Sequence, residues 1–125
     1  MLLAGPAIGG EPIELSDKQQ AKLDKQLEGR TAGAARTCIN RNDQRHMTVI
    51  SDDILVFSSR RNAKTVYINK PAGGCPGADR NILAYTRSSS SLCRGEIIQL
   101  VHNAHGGSMG SCAFGDFIPY TKDAD

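Results

Sequence analysis

Four cysteines, Cys38, Cys75, Cys93 and Cys112, are spread along the chain, and no two stand in the Cys-x-x-Cys spacing that marks most zinc and thioredoxin-like sites. An even count at wide spacing reads first as two disulfides, with reduced core thiols or a metal site as the alternatives. Disulfides belong to oxidising compartments and support small exported domains whose cores are thin. The core of this chain is thin: its 125 residues include no Trp, three Phe, three Tyr and thirteen Gly. The length suits one domain, which buries roughly two-thirds of its unfolded surface.

The pattern along the chain predicts a mainly β fold with one N-terminal helix. Ser16 and Gln19 form a capping-box pair, and DKQQAKLDKQLE is made mostly of good helix formers, so a helix is expected over about residues 16–28. Its apolar stripe is narrow (Ala21, Leu23 and Leu27, with Leu15 before it), which predicts a surface helix, and Gly29 can end it. GRTAGAA, residues 29–35, reads as a linker.

Runs rich in β-branched and aromatic residues follow: ARTCINR, HMTVIS, ILVFSS, KTVYIN, ILAYTR, IIQLVHN and CAFGDFIPY. They predict about seven short strands in a curled antiparallel sheet or small barrel. IIQLVHN is expected to be the longest and central one. Turns are expected at Asp52-Asp53, at 60–63, in the long loop 70–80 and in the serine run 88–91, and 105–111 reads as a glycine-rich loop.

In a curled sheet the first and last strands become neighbours. Cys38 lies in the first expected strand and Cys112 in the last, which predicts Cys38–Cys112. Cys75 in the long loop would then pair with Cys93, at the start of the longest strand.

Residues 1–10, MLLAGPAIGG, are apolar but carry no preceding Lys or Arg and are too short for a full signal peptide. Residues 1–15 are therefore expected to be a flexible leader or signal remnant, 16–122 a single β-rich domain and 123–125 a tail. No stretch approaches the roughly 20 apolar residues that a membrane-spanning helix needs, so no transmembrane segment is expected.

The net charge of +2 is unevenly distributed. Residues 1–29 carry three Lys against five acids, whereas residues 30–122 carry nine Arg and three Lys against six acids. Arginine forks suit carboxylates and phosphates. Arg36, Arg41 and Arg45 near the first strands, with Arg60 and Arg61 at a turn, are the anion-binding candidates. A basic surface that simply aids solubility is the leading reading, and anion binding is the alternative to it. Nucleic-acid binding on a sheet wants exposed aromatic residues among the bases. Phe57, Tyr67 and Tyr85 sit in alternating strands and read as core, so no nucleic-acid partner is expected; for an exported protein an anionic envelope component, a polymer or lipid head groups, fits better, and the partner is not named.

Gly106-Gly107-Ser108-Met109-Gly110 matches G-x-S-x-G, but a nucleophile elbow needs a helix after the serine, and a strand pattern follows. A flexible hairpin loop is the preferred reading. His102 and His105 are weak metal candidates, with His46, Asp116 or Glu96 as conceivable further ligands, so no metal or cofactor is assigned. A Cys112–His105 nucleophile pair requires a free thiol. Asp43, Asp52 and Asp53 read as turn formers.

The segments LEGRTAGAARTCI (27–39), QRHMTVISDDILVF, CPG (75–77), LCRGE (92–96) and CAFGDFIP together resemble a family of small proteobacterial envelope proteins classed as a domain of unknown function. The likeness extends over about residues 25–120. It implies an exported or lipid-anchored protein with a small β-rich domain, and it carries no catalytic residues. Glu96 departs from the pattern, which has Asp after the glycine. The expected function is a non-enzymatic binding or structural domain of the cell envelope, periplasmic or secreted, with an anionic ligand. The alternative is a small enzyme or metal-binding domain built on residues 102–112.

Overall fold

The computed structural model describes residues 15–78, 80–85 and 91–122. Most of the expected leader, the serine turn at 88–90 and the tail at 123–125 lie outside the described residues.

One helix, α1 (Asp17–Leu27), is capped as the sequence predicts. The Ser16 hydroxyl accepts from the Gln19 N–H at 3.1 Å, and the Gln19 side chain accepts from the Ser16 N–H at 2.9 Å. These two bonds satisfy donors that a helix start otherwise leaves open. The helix closes at Glu28, and Gly29 follows with φ 74°, a conformation that costs glycine nothing. No α1 residue is buried. Leu15, Leu23 and Leu27 rest against Ile50, Ile54, Val56, Val66 and Ile68 on one face of the main sheet.

The other regular structure is mainly β, with ten strands among the described residues: β1 (Arg30–Ala32), β2 (Cys38–Ile39), β3 (His46–Ser51), β4 (Ile54–Ser58), β5 (Thr65–Asn69), β6 (Ile82–Tyr85), β7 (Leu92–Cys93), β8 (Ile97–Val101), β9 (Ser108–Ala113) and β10 (Phe117–Lys122). A single 3-10 turn, Asn42–Gln44, sits between β2 and β3. The strands form three antiparallel sheets, ordered β1-β10-β5-β4-β3, β2-β7 and β6-β8-β9. None closes into a barrel.

The extra strands have physical reasons. Residues 30–32, read as linker, pair through their backbone with β10, Arg30 opposite Lys122. The glycine-rich stretch also becomes a strand, because β9 pairs along β8 from Ser108↔Val101 to Ala113↔Ile97. CAFGDFIPY is broken at 114–116, between β9 and β10. Buried Asn69 makes the break: its side chain donates to the Gly115 carbonyl at 2.8 Å and accepts from the Gly115 N–H at 3.0 Å. A side chain at 115 would collide with the Lys70 carbonyl, so only glycine fits there. β8 is central in its own sheet but, at five residues, shorter than β3, β9 and β10. Asp52 and Asp53 do make the β3–β4 turn, where the Asp53 N–H donates to the Ser51 hydroxyl.

The main core lies between the other face of the five-stranded sheet and the remaining strands. All three Phe of the chain meet there: Phe57 stands 5.9 Å from Phe114 and 5.8 Å from Phe117, ring centre to ring centre. Ile39, Leu55, Tyr67, Leu92 and Ile98 complete it.

The four cysteines form two disulfides, but the pairing differs from the expected one. The bonds are Cys38–Cys93 and Cys75–Cys112, not Cys38–Cys112 and Cys75–Cys93. The first and last strands do approach, since Arg36 bridges Phe117. Two residues later, however, the chain has left for β2, whose partner is β7, and Cys38 faces Cys93 directly. Cys112 belongs to β9 rather than to the last strand. It is brought to Cys75 by the bridge between Ala72 and Ala113.

Candidate functional site

The basic side chains gather at one end of the five-stranded sheet, around the β4–β5 turn. That turn is tight, with the Ala63 N–H donating to the Arg60 carbonyl at 3.2 Å. Asn62 takes a left-handed φ of 62°, which asparagine tolerates better than most residues. The turn leaves Arg60, Arg61 and Lys64 exposed and buries Ala63 beneath them.

Two hollows flank this turn. The first, about 500 Å³, is lined by Asn42, Asp43, Arg45, Ser59, Arg60 and Lys64, with Ala63, Thr65 and Tyr67 at its floor. The second, about 650 Å³, is walled by Lys25 and Glu28 from the end of α1, by Arg30, His46, Arg60 and Arg61, and by Lys122 from β10. Strand alternation places them on opposite faces. Tyr67 belongs to the main core and floors the first hollow, whereas its neighbour Val66 faces α1 and lines the second. Arg60 lines both.

Seven cations therefore ring the sheet end (Lys25, Arg30, Arg45, Arg60, Arg61, Lys64 and Lys122) against two acids, Glu28 and Asp43. Except for Arg30, these cations have no ion pair or side-chain hydrogen bond among the described residues. Arg30 is committed internally. Its guanidinium donates to the Gln26 carbonyl at 2.7 Å and to the Ala63 carbonyl, tying the end of α1 to the β4–β5 turn, and its Nε is buried without a partner.

The five candidate arginines separate into two groups. Arg45, Arg60 and Arg61 line the hollows. Arg36 lies over the Tyr67 ring, 5.8 Å from its centre, and donates to the Tyr67 hydroxyl at 3.2 Å. Arg41 is exposed beside the 3-10 turn and lines neither hollow. Burial pushes the Tyr67 phenol above its usual range; the adjacent Asp43 carboxylate adds to the rise and Arg36 opposes it. Phe57 and Tyr67 are core, as expected, and half-buried Tyr85 packs edge-on against Phe114 at 5.2 Å.

Lys25, Arg30, Lys64 and Lys122 escaped the sequence reading. Lys64 could have been found from its place in the same turn as Arg60 and Arg61. The other three reach the site only through the packing of α1 and the register of β1 on β10.

The segment 102–112 has a different character. His102 and His105 stack face to face with ring centres 3.9 Å apart. Each Nδ1 accepts a backbone N–H, from Ala104 at 3.0 Å and from Gly107 at 3.3 Å, so each neutral ring carries its proton on Nε2. Among the described residues no group of three or more His, Cys, Asp and Glu comes together. The conceivable partners lie elsewhere. His46 lines the second hollow, Glu96 accepts from the Cys93 N–H at 2.8 Å, and Asp116 pairs with Arg94 at 3.1 Å. Ser108 opens β9 between two strands, which is not the strand-to-helix turn of a nucleophile elbow. Cys112 is bonded to Cys75, so it offers no thiolate to His105.

No family model, curated protein or solved structure matches the chain.

Proposed function

We propose that this chain is a non-enzymatic binding domain of an exported protein, periplasmic or secreted, whose basic sheet end holds an anionic ligand of the cell envelope. The observation that carries this reading is the gathering of seven cations around two hollows with only two acids among them. Charges placed so closely repel one another and raise the local potential, which attracts anions. Among the described residues, six of the seven have no side-chain partner that would neutralise them. The two disulfides are compatible with an oxidising compartment.

The test is retention on an anionic matrix across a salt gradient. The protein should elute at higher salt than a control protein of equal net charge. The Arg60→Gln/Arg61→Gln variant should elute earlier than the wild type by more than a variant with two exposed cations removed elsewhere, such as Arg41→Gln/Arg80→Gln. Equal elution of the two variants would sink the proposal.

A further inference from the structure

We infer that the ligand of this face is an extended polyanion, a linear chain of phosphate or sulfate groups, that crosses the β4–β5 turn from one face of the sheet to the other. The inference rests on the anionic-ligand reading above and specifies the ligand's shape. The two hollows lie on opposite faces of one sheet end and meet at Arg60. A single phosphate or sulfate can occupy one of them but, Arg60 apart, cannot use the cations of the other. Only a chain that bends around the turn meets Arg45 and Lys64 on one side and Lys25, Arg61 and Lys122 on the other.

The linings argue in the same direction. Sites for small organic molecules are concave and mostly apolar. Here the apolar floor of the first hollow, Ala63 and Tyr67, is itself buried, and exposed charged side chains form the walls. A nucleic-acid strand would need aromatic rings on which bases stack. Two aromatic rings line the hollows: Tyr67, whose ring is buried and lies beneath Arg36, and a single imidazole, His46, on the other face, which gives no run of platforms for successive bases. A lipid surface would be gripped more firmly with apolar side chains beside the charges. Among the described residues the exposed large apolar side chains, Ile82, Ile97 and Met109, belong to β6, β8 and β9, in the three-stranded sheet. Tetrahedral oxyanions match the planar fork of arginine.

Binding of the full chain to labelled probes tests this. The probes are long-chain polyphosphate and a long sulfated glycan, with pyrophosphate and a sulfated disaccharide as their short counterparts. At least one long probe should bind much more tightly than its short counterpart, and which one does distinguishes phosphate from sulfate polymer. Arg45→Gln/Lys64→Gln and Lys25→Gln/Arg61→Gln should each weaken the long probe by roughly threefold to tenfold, and Arg60→Gln should weaken it as well. Circular dichroism checks that the variants keep their fold.

Equal affinity for short and long probes overturns the extended ligand while leaving the anionic reading intact. So does sensitivity to only one of the two paired variants, or tighter binding to anionic phospholipid vesicles or to single-stranded DNA than to either long probe. Absence of binding to every anionic probe overturns both.

Discussion

At the scale of single residues, the informative contrast is between Arg36 and Arg60. From the sequence both are anion-binding candidates, Arg36 near the first strands and Arg60 at a turn. Arg36 is held against Tyr67, whereas Arg60 has no side-chain partner among the described residues. Residue type showed that each could bind an anion, but only packing separates the arginine held in an internal contact from the one that makes no such contact among the described residues. Tyr67 also provides a pH prediction. Its phenol is held protonated more firmly in the folded chain than in the unfolded one. The corresponding stability is fully present below the unfolded value of about 10 and is lost as pH rises beyond it. Denaturant unfolding at pH 9 and at pH 11 should show a larger loss for the wild type than for Tyr67→Phe. Equal losses would mean that the phenol is not the group responsible. Arg61, exposed and without a side-chain partner among the described residues, should behave differently: Arg61→Gln should change stability by no more than about 0.5 kcal/mol while lowering retention on the anionic matrix.

At the scale of elements, legibility followed side-chain chemistry. α1 was readable to within a residue because its cap, its helix formers and its stop lie in consecutive positions. Ser16→Ala should cost about 1 kcal/mol, seen as a lower unfolding midpoint without a change in cooperativity. The strands β3, β4, β5, β6 and β8 were readable because they are short runs rich in β-branched, aromatic and other apolar residues. β1 and most of β9 were not, since RTA and SMGS carry no run of β-branched and aromatic residues and take their strand form from backbone pairing with β10 and β8. The break at 114–116 was invisible for another reason: it depends on Asn69, 46 positions away, bonding to Gly115 on both sides.

At the scale of the whole molecule, the number of disulfides was legible and their connectivity was not. Pairing depends on how strands partition among sheets, and that partition is decided by packing around the three phenylalanines. Non-reducing peptide mapping should recover Cys38 linked to Cys93 and Cys75 linked to Cys112. Replacing Cys38 and Cys93 together with Ser should cost roughly 2–4 kcal/mol. β2 and β7 are two residues each and pair only with one another, so this small ladder should lose hydrogen-exchange protection before the five-stranded sheet does.

The position of β10 has a consequence for how the chain comes together in time. This strand lies between β1 and β5, so residues 117–122 join the earliest strand of the sheet to its middle. A nascent chain emerging from its N-terminal end can form the β3–β4–β5 meander, but β1 has nothing to pair with until residue 122 has appeared. Such long-range closure makes folding slow relative to local contacts. A polypeptide arranged this way remains threadable until almost the whole domain has been delivered, and it then locks from both ends at once.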